Sequence, residues 1–538
     1  MTRTLVVGWD GGTWSVAGPL ARAGRLPVVA SLREGGAEGV LESVPNMNSA
    51  PAWSTIATGL DPGRHGIFYF DERAVGTYGR SIINAERRAG ATLWRMASEA
   101  GKRIIVVNVP ISYPAEPVNG FLVAGLDTPS KNLPGFAWPR DLTKRYEDLF
   151  RDYVVEPQAP TLMRAGKADE AEAALLGSVE GWTTLTERLM REEEWDLVFV
   201  VFTSTDTTCH FFWNGQDNRV VERVYQVQDE ATGRLIDLAR SQDPDVNVMI
   251  LADHGGAANT RGPEFVQAWL EDLGLTVKTR PSMRSRAMVA GFNVVNRTLT
   301  REQKKALTER FPRLKEKAEA ESRLQGIDWP RTRAFSDGVR DDILVNLAGR
   351  EPDGVVPRAE YRSFGAELKA RVAGIRELGT GRPVVDDVLL REDVYEGPYV
   401  ERAPDFTVRW VIDGTPFRGF ECETSRGRER MREIAARPPF QPGGHHPEGM
   451  FLAKGPNVQP SGAVRGNLAD VTPTILALLD VPIPSGLDGK PLDVLRGVDA
   501  ELSTEPAAET GSRGENASGY TDEEEEAIRQ RLEDLGYI

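Results

Sequence analysis

Three short motifs in this chain set oxygen and nitrogen ligands beside one another: Asp206-Thr207-Thr208-Cys209-His210, Asp253-His254-Gly255-Gly256 and Gly443-Gly444-His445-His446-Pro447. A fourth, Val6-Val7-Gly8-Trp9-Asp10-Gly11-Gly12, adds a carboxylate. The 538 residues contain only five histidines, His65, His210, His254, His445 and His446, and most of them fall in these motifs. Carboxylate oxygen with imidazole nitrogen, and no thiolate, is a donor set for Zn²⁺ or Mn²⁺. Asp10, Asp206, His210, Asp253, His254 and His445 are more ligands than one ion takes from protein, so two divalent ions are expected. Each motif alone has a plainer reading. Asp10 before Gly-Gly fits a turn, Asp-x-x-x-His recurs by chance, and His445 fits an exposed loop. Cys209 reads as a small buried residue rather than a ligand. Their joint occurrence favours the metal reading.

A nucleophile is expected in Asn48-Ser49-Ala50-Pro51-Ala52-Trp53, which leads to Thr58-Gly59. Pro51 suits a first helical turn and Gly59 a helix end, which sets Ser49 at or just before a helix N-terminus. The dipole there favours a phosphate or an alkoxide, and a metal on the hydroxyl lowers its pKa further. Ser49 or Asn48 also reads as a simple N-cap, and the two roles are compatible.

The elements that must carry these groups are apolar runs. Residues 4–9, 103–109, 196–202 and 246–251 read as buried strands, and 450–453 as a short one. The stretch around 16–32 is helical in pattern, and Val220, Val221, Val224, Ala231, Leu235 and Leu238 mark a helix between the third and fourth strands. Strands alternating with helices predict an α/β fold with a mostly parallel sheet. Ligands of such sheets gather beyond the carboxyl ends of the strands, where Asp10, Asp206 with His210, and Asp253 with His254 all fall. Residues 1–256 read as the first part of this core, 257–440 as an inserted cap with returning elements, and 441–497 as the final part. Asp470 precedes a helix through Leu479. Residues 498–538 read as an acidic flexible linker, to 519, and a short last helix. Thr521 and Glu524 form its capping box, and Ile528, Leu532 and Leu535 its apolar face.

The net charge of -15 argues against binding nucleic-acid polymers. Two cysteines, Cys209 and Cys422, supply no disulfide framework, and no apolar run of about 18 residues provides a membrane span. A cytoplasmic protein is expected.

In this order, Gly8-Trp9-Asp10-Gly11-Gly12, Ser49-Ala50-Pro51-Ala52-Trp53, Gly63-Arg64-His65-Gly66-Ile67, Asp206…His210, Asp253-His254-Gly255 and His445-His446-Pro447-Glu448-Gly449 resemble the alkaline phosphatase superfamily, in its type I phosphodiesterase/nucleotide pyrophosphatase branch. The resemblance implies an alkaline-phosphatase-like three-layer sandwich and a phosphodiesterase or phosphatase acting on a small-molecule phosphate ester. It also implies a division of ligands. Asp206, His210 and His445 hold one ion, and Asp10, Asp253, His254 and the Ser49 oxygen the other. Ser49 then attacks phosphorus in line, and the phosphoserine is hydrolysed with metal-activated water. Trp53 and His446 are further candidates for substrate contact, and His65 is expected outside the ligand set. Phe68-Tyr69-Phe70 stands where nucleotide pyrophosphatases carry a phosphate-binding Asn, and Pro51-Ala52-Trp53 replaces their Pro-Asn-His, so nucleotide specificity is not implied. A phosphomutase or phosphotransferase could use the same groups. A sulfatase is the nearest rival, but Trp53 stands where a sulfatase needs Arg, and a metal-containing binding protein without catalysis is the reading from another class.

Overall fold

A computed structural model of the chain describes residues 3–73, 77–213, 218–259, 265–279, 290–291, 324, 326–336, 340, 342–412, 419–424, 427–430, 441–498, 500–506 and 520–538. Its centre is a nine-stranded sheet. Across the sheet the strands run Ser461–Asn467, Ala37–Glu42, Glu448–Lys454, Asn247–Leu251, Thr4–Trp9, Leu197–Phe202, Ile104–Val109, Gly120–Ala124 and Ala137–Trp138. Pairings are parallel except those of Glu448–Lys454 with both its neighbours and of Ala137–Trp138 with Gly120–Ala124. The four apolar runs read from the sequence are fully buried strands, as continuous Val, Ile and Leu segments covered on both faces must be. The architecture is therefore α/β with a large, mostly parallel central sheet.

Three adjacent strands matter most. Thr4–Trp9 pairs in parallel with Leu197–Phe202 on one side and Asn247–Leu251 on the other, with Trp9 opposite Phe202 and Gly8 opposite Leu251. Their carboxyl ends are therefore level, and the segments leaving those ends lie side by side.

Some elements differ from the sequence expectation. The helix expected over 16–32 is two helices, Trp14–Arg22 and Pro27–Arg33. Gly24 takes a left-handed φ of 72° and Pro27 starts the second helix, so the chain turns between them. Residues Leu502–Pro506, expected in a flexible linker, pair in parallel with Ile483–Ser485. Residues 507–519 of that linker lie outside the described residues.

The long helix Arg219–Gln242, the helix Val471–Leu478 and the last helix Asp522–Leu535 form where their periodicity places them. The last helix carries the capping box of Thr521 and Glu524. Within 265–424, a four-stranded sheet including Asp342–Val345, Val385–Leu390 and Phe406–Trp410 closes over a separate apolar core that includes Trp269, Ile343, Leu368 and Phe406.

Candidate active site

Asp10 follows the strand Thr4–Trp9, and Gly11 turns the chain with φ 69°. A Cβ on Gly11 would lie 3.0 Å from Asp206 Cα, so glycine lets the first strand end pass directly over the Asp206–His210 motif. Asp206 lies in the first turn of the helix Ser204–Phe212. Residues four apart share a helix face, so Asp206 and His210 point the same way, with Oδ1 and Nε2 3.3 Å apart. Asp253 and His254 follow Asn247–Leu251, and the Gly11 N–H donates to Asp253 Oδ1 at 3.2 Å.

His445 arrives from a two-stranded antiparallel ribbon in which it stands opposite Gly256. A Cβ on Gly443 would lie 2.0 Å from the Cys209 carbonyl oxygen, so the ribbon can approach the Asp206 helix only with glycine there. Cys209 is buried with its Sγ against the carbonyls of Ala257 and Gly444, as a packing residue of that contact.

Ser49 opens the helix Ser49–Thr58. Asn48 caps it by accepting from the Ala50 N–H at 3.2 Å, and Gly59 ends it with a left-handed φ of 69°. Ser49 Oγ lies 3.2 Å from His254 Nε2 and 3.5 Å from Asp10 Oδ1. The candidate residues Asp10, Ser49, Asp206, His210, Asp253, His254 and His445 thus form one cluster. Asp10, Ser49, Asp253 and His254 are fully buried.

Two groups of side chains present donor atoms close enough together to hold an ion: Asp206 with His210 and His445, and Asp10 with Asp206 and His254. Three observations show that these residues suit cations. His254 Nδ1 lies 3.1 Å from the Gly255 carbonyl and His445 Nδ1 2.5 Å from that of Met47. A carbonyl only accepts, so both Nδ1 atoms carry the proton and both Nε2 atoms present a bare lone pair to the cluster.

His445 Nε2 then faces the acceptor Asp206 Oδ1 at 3.4 Å, and His254 Nε2 faces Asp253 Oδ2 at 3.4 Å and Asp10 Oδ1 at 3.7 Å. Asp253 Oδ2 is buried and receives no hydrogen bond from the described residues. Finally, three carboxylates are buried together, and no Lys or Arg among the described residues pairs with any of them. Such a group is costly without protons or cations to neutralise it.

The electrostatics follow the same logic. Burial, together with the neighbouring carboxylates Asp253 and Asp206, holds the Asp10 carboxyl well above the usual range. Burial and then Asp206 push Asp253 up to about 8. Burial opposes the charge on Asp206 too, but the neighbouring His210 outweighs it and holds that carboxyl well below the usual range. Burial, then the neighbouring His445, lowers His254 to about 3, so it is neutral and ready as a ligand.

Three residues named from the sequence stand outside the cluster. Trp53, expected to touch substrate, is instead fully buried in the core, where its Nε1–H donates to Asp10 Oδ2 at 2.9 Å. His446 neighbours His445 on a strand and so faces the opposite side, where its Nδ1 accepts from the Glu448 N–H at 3.1 Å. His65 is buried beneath the nucleophile helix, with Nε2 3.0 Å from Thr55 Oγ1 and Nδ1 accepting from the Ile67 N–H at 3.1 Å.

One group was not legible in the sequence. Tyr537, just past the last helix, donates from Oη to Asp206 Oδ2 at 2.6 Å and lies 3.5 Å from Ser49 Oγ. The only signal for it is local: Gly536 ends a charged helix, and an apolar Tyr-Ile pair follows.

A family model for type I phosphodiesterase/nucleotide pyrophosphatase matches residues 4–418, a span holding every cluster residue except His445 and Tyr537. Among solved structures, the chain is similar to an alkaline phosphatase, PafA, at 14% identity, covering 91% of this chain and 98% of that one with a TM-score of 0.52. It is also similar to phosphonoacetate hydrolase from Sinorhizobium meliloti 1021 in complex with phosphonoformate, at 16% identity, 88% and 94% coverage and a TM-score of 0.50. Human ectonucleotide pyrophosphatase/phosphodiesterase 5 aligns at 14% identity over 92% of this chain and 100% of that one, with a TM-score of 0.48. At these identities the first two of these structures speak for the fold alone. No curated protein matches by sequence.

Proposed function

Because the chain belongs to the type I phosphodiesterase/nucleotide pyrophosphatase family, whose members are phosphoester hydrolases, we propose that it hydrolyses a small-molecule phosphate ester through a phosphoserine on Ser49. The observation that carries this reading is the position of Ser49 Oγ, at a helix N-terminus, 3.2 Å from His254 Nε2 and 3.5 Å from Asp10 Oδ1, beside one of the two candidate ligand groups. Asp206, His210 and His445 would hold one divalent ion, and Asp10, Asp253, His254 and Ser49 the other, with zinc the best match to the donor set. Bound there, two such ions lower the pKa of the serine hydroxyl and neutralise charge on the transferring phosphoryl group.

The rest is done by this chain's own residues. Ser49 Oγ forms a bond to phosphorus as the bond to the leaving oxygen breaks. Water then attacks phosphorus, and Ser49 Oγ leaves. Asn48 Oδ1 occupies the Ala50 N–H and Pro51 has none, so the helix acts on the phosphoryl group through its dipole more than through free first-turn donors. Trp53 fixes Asp10, and the carbonyls of Gly255 and Met47 fix the two imidazoles, so the ligand atoms need little rearrangement.

The test uses bis-p-nitrophenyl phosphate and p-nitrophenyl phosphate with zinc-loaded protein. Ser49→Ala should abolish turnover of whichever ester the wild type cleaves while leaving the circular dichroism spectrum unchanged. Wild-type turnover in that variant would overturn the covalent route. Zinc binding with no turnover of any phosphate ester would favour a binding protein.

A further inference from the structure

Asp206 is common to both candidate ligand groups, and its two oxygens have separate partners. Oδ1 faces the imidazoles, 3.3 Å from His210 Nε2, 3.4 Å from His445 Nε2 and 4.0 Å from His254 Nε2. Oδ2 accepts the hydrogen bond from Tyr537 Oη at 2.6 Å. We propose that Tyr537 is a positioning residue of the site, holding Asp206 so that Oδ1 is the oxygen presented to the metal. This rests on the metal-site reading above and goes beyond it by assigning a role to a segment 331 positions away in sequence.

The contact is built. Gly536, with φ 79°, ends the helix in a left-handed turn in which the Tyr537 N–H returns to the Leu532 carbonyl at 2.9 Å. That turn aims the ring inward, and it needs glycine for its left-handed φ.

The carbonyls on either side of the turn are held by other parts of the molecule. Gln441 Nε2 donates to Leu535 O at 2.6 Å, and Arg340 Nη2 donates to Tyr537 O at 2.9 Å. Arg164 Nη2 donates to the carbonyls of Glu533 and Asp534 at 3.1 and 3.2 Å. The Tyr537 ring rests on Phe70 with centroids 5.0 Å apart, in a cluster that also contains Ala50, next to the nucleophile. Tyr537 is buried, with 6% of its surface exposed, and its contacts to Asp206 and Ser49 lie in the interior.

A plain packing role accounts for the ring but not for the hydroxyl. A buried phenol could have been Phe at this position. Here its O–H meets one oxygen of a carboxylate whose other oxygen is needed elsewhere. Without it, Oδ2 is left unpaired in the interior at a cost in stability, and the carboxylate is free to rotate and take Oδ1 off its line to the three nitrogens.

Tyr537→Phe separates the two roles, because it keeps the ring and removes only Oη. The readouts are Zn²⁺ affinity by competition with a chromophoric chelator, the melting temperature of the metal-free protein, and kcat/KM at limiting and at excess zinc. Loss of a ligand's outer partner weakens metal binding by about 10- to 100-fold. We expect a loss of that size for one ion, a metal-free melting temperature somewhat below wild type because the buried carboxylate loses a hydrogen bond, and a kcat/KM defect larger at limiting than at excess zinc. Wild-type zinc affinity in Tyr537→Phe would overturn the proposal, as would a fall in metal-free stability with no change in affinity.

The wild-type arm separates this from the functional reading. If wild type binds no zinc, both fail. If wild type binds zinc and Ser49→Ala stays active, the phosphoserine route fails while the assignment of Tyr537 is still judged by the affinity of its own variant.

Discussion

Trp53→Phe probes how the core is tied to the site. The variant removes the indole N–H that reaches Asp10 Oδ2 at 2.9 Å, between two fully buried groups. It carries two losses. The smaller ring leaves roughly 35 Å³ unfilled beside Gly8, which at about 24 cal/mol per Å³ costs ~1 kcal/mol. The lost hydrogen bond is worth about 0.5–1.5 kcal/mol to a neutral carboxyl and about 1.5–3 kcal/mol to an ionised one.

Burial and its carboxylate neighbours hold Asp10 well above the usual range, which favours its neutral form in the metal-free protein, whereas a metal ligand is ionised. The expected destabilisation is therefore ~1.5–2.5 kcal/mol for the metal-free form and ~2.5–4 kcal/mol for the loaded one. The difference of about 1–1.5 kcal/mol appears as roughly tenfold weaker zinc binding. Urea unfolding of the metal-free variant gives the first number and chelator competition the second. Stability within ~0.5 kcal/mol of wild type together with unchanged zinc affinity would refute the claim that the indole holds Asp10.

His210→Ala should lower the zinc content measured by elemental analysis, since it removes one of the three ligands shared with Asp206 and His445; an unchanged ratio would mean that His210 is not a ligand. Glu156 offers a pH test away from the site. Its Oε1 is buried without a hydrogen-bond partner among the described residues, and burial pushes its carboxyl up to about 8. A raised folded-state value means that its contribution is fully present below the unfolded value, near 4.5, and is lost as pH rises through 8. Glu156→Gln should match wild-type stability below that window and exceed it at about pH 9, and parallel pH–stability curves from urea titrations would contradict this.

The parts of the site that sequence made legible are those whose signal is local. Asp10, Asp206 and Asp253 follow apolar runs that could only be buried parallel strands, so their convergence follows from topology. Asn48, Pro51 and Gly59 frame the nucleophile helix within twelve residues. The features that escaped depend on distant partners. Trp53 reads as a candidate substrate contact near the nucleophile until the bare backbone of Gly8 is seen to admit its ring, a contact between residues 45 positions apart. Tyr537 reaches Asp206 only because Gly536 turns the last helix end inward. The strands Ala37–Glu42 and Ser461–Asn467 carry glycine, charge and few β-branched residues, and they exist through pairing across the sheet rather than through their own pattern.

The central claim is that Ser49 carries the phosphoryl group during turnover. Zinc-loaded enzyme mixed with excess p-nitrophenyl phosphate, quenched in acid within the first turnovers and digested for mass spectrometry, tests it directly. One phosphoryl group is expected on the peptide containing Ser49, absent from Ser49→Ala. Efficient hydrolysis with that peptide unmodified at every quench time, or a phosphoryl group trapped on a different residue, would contradict it.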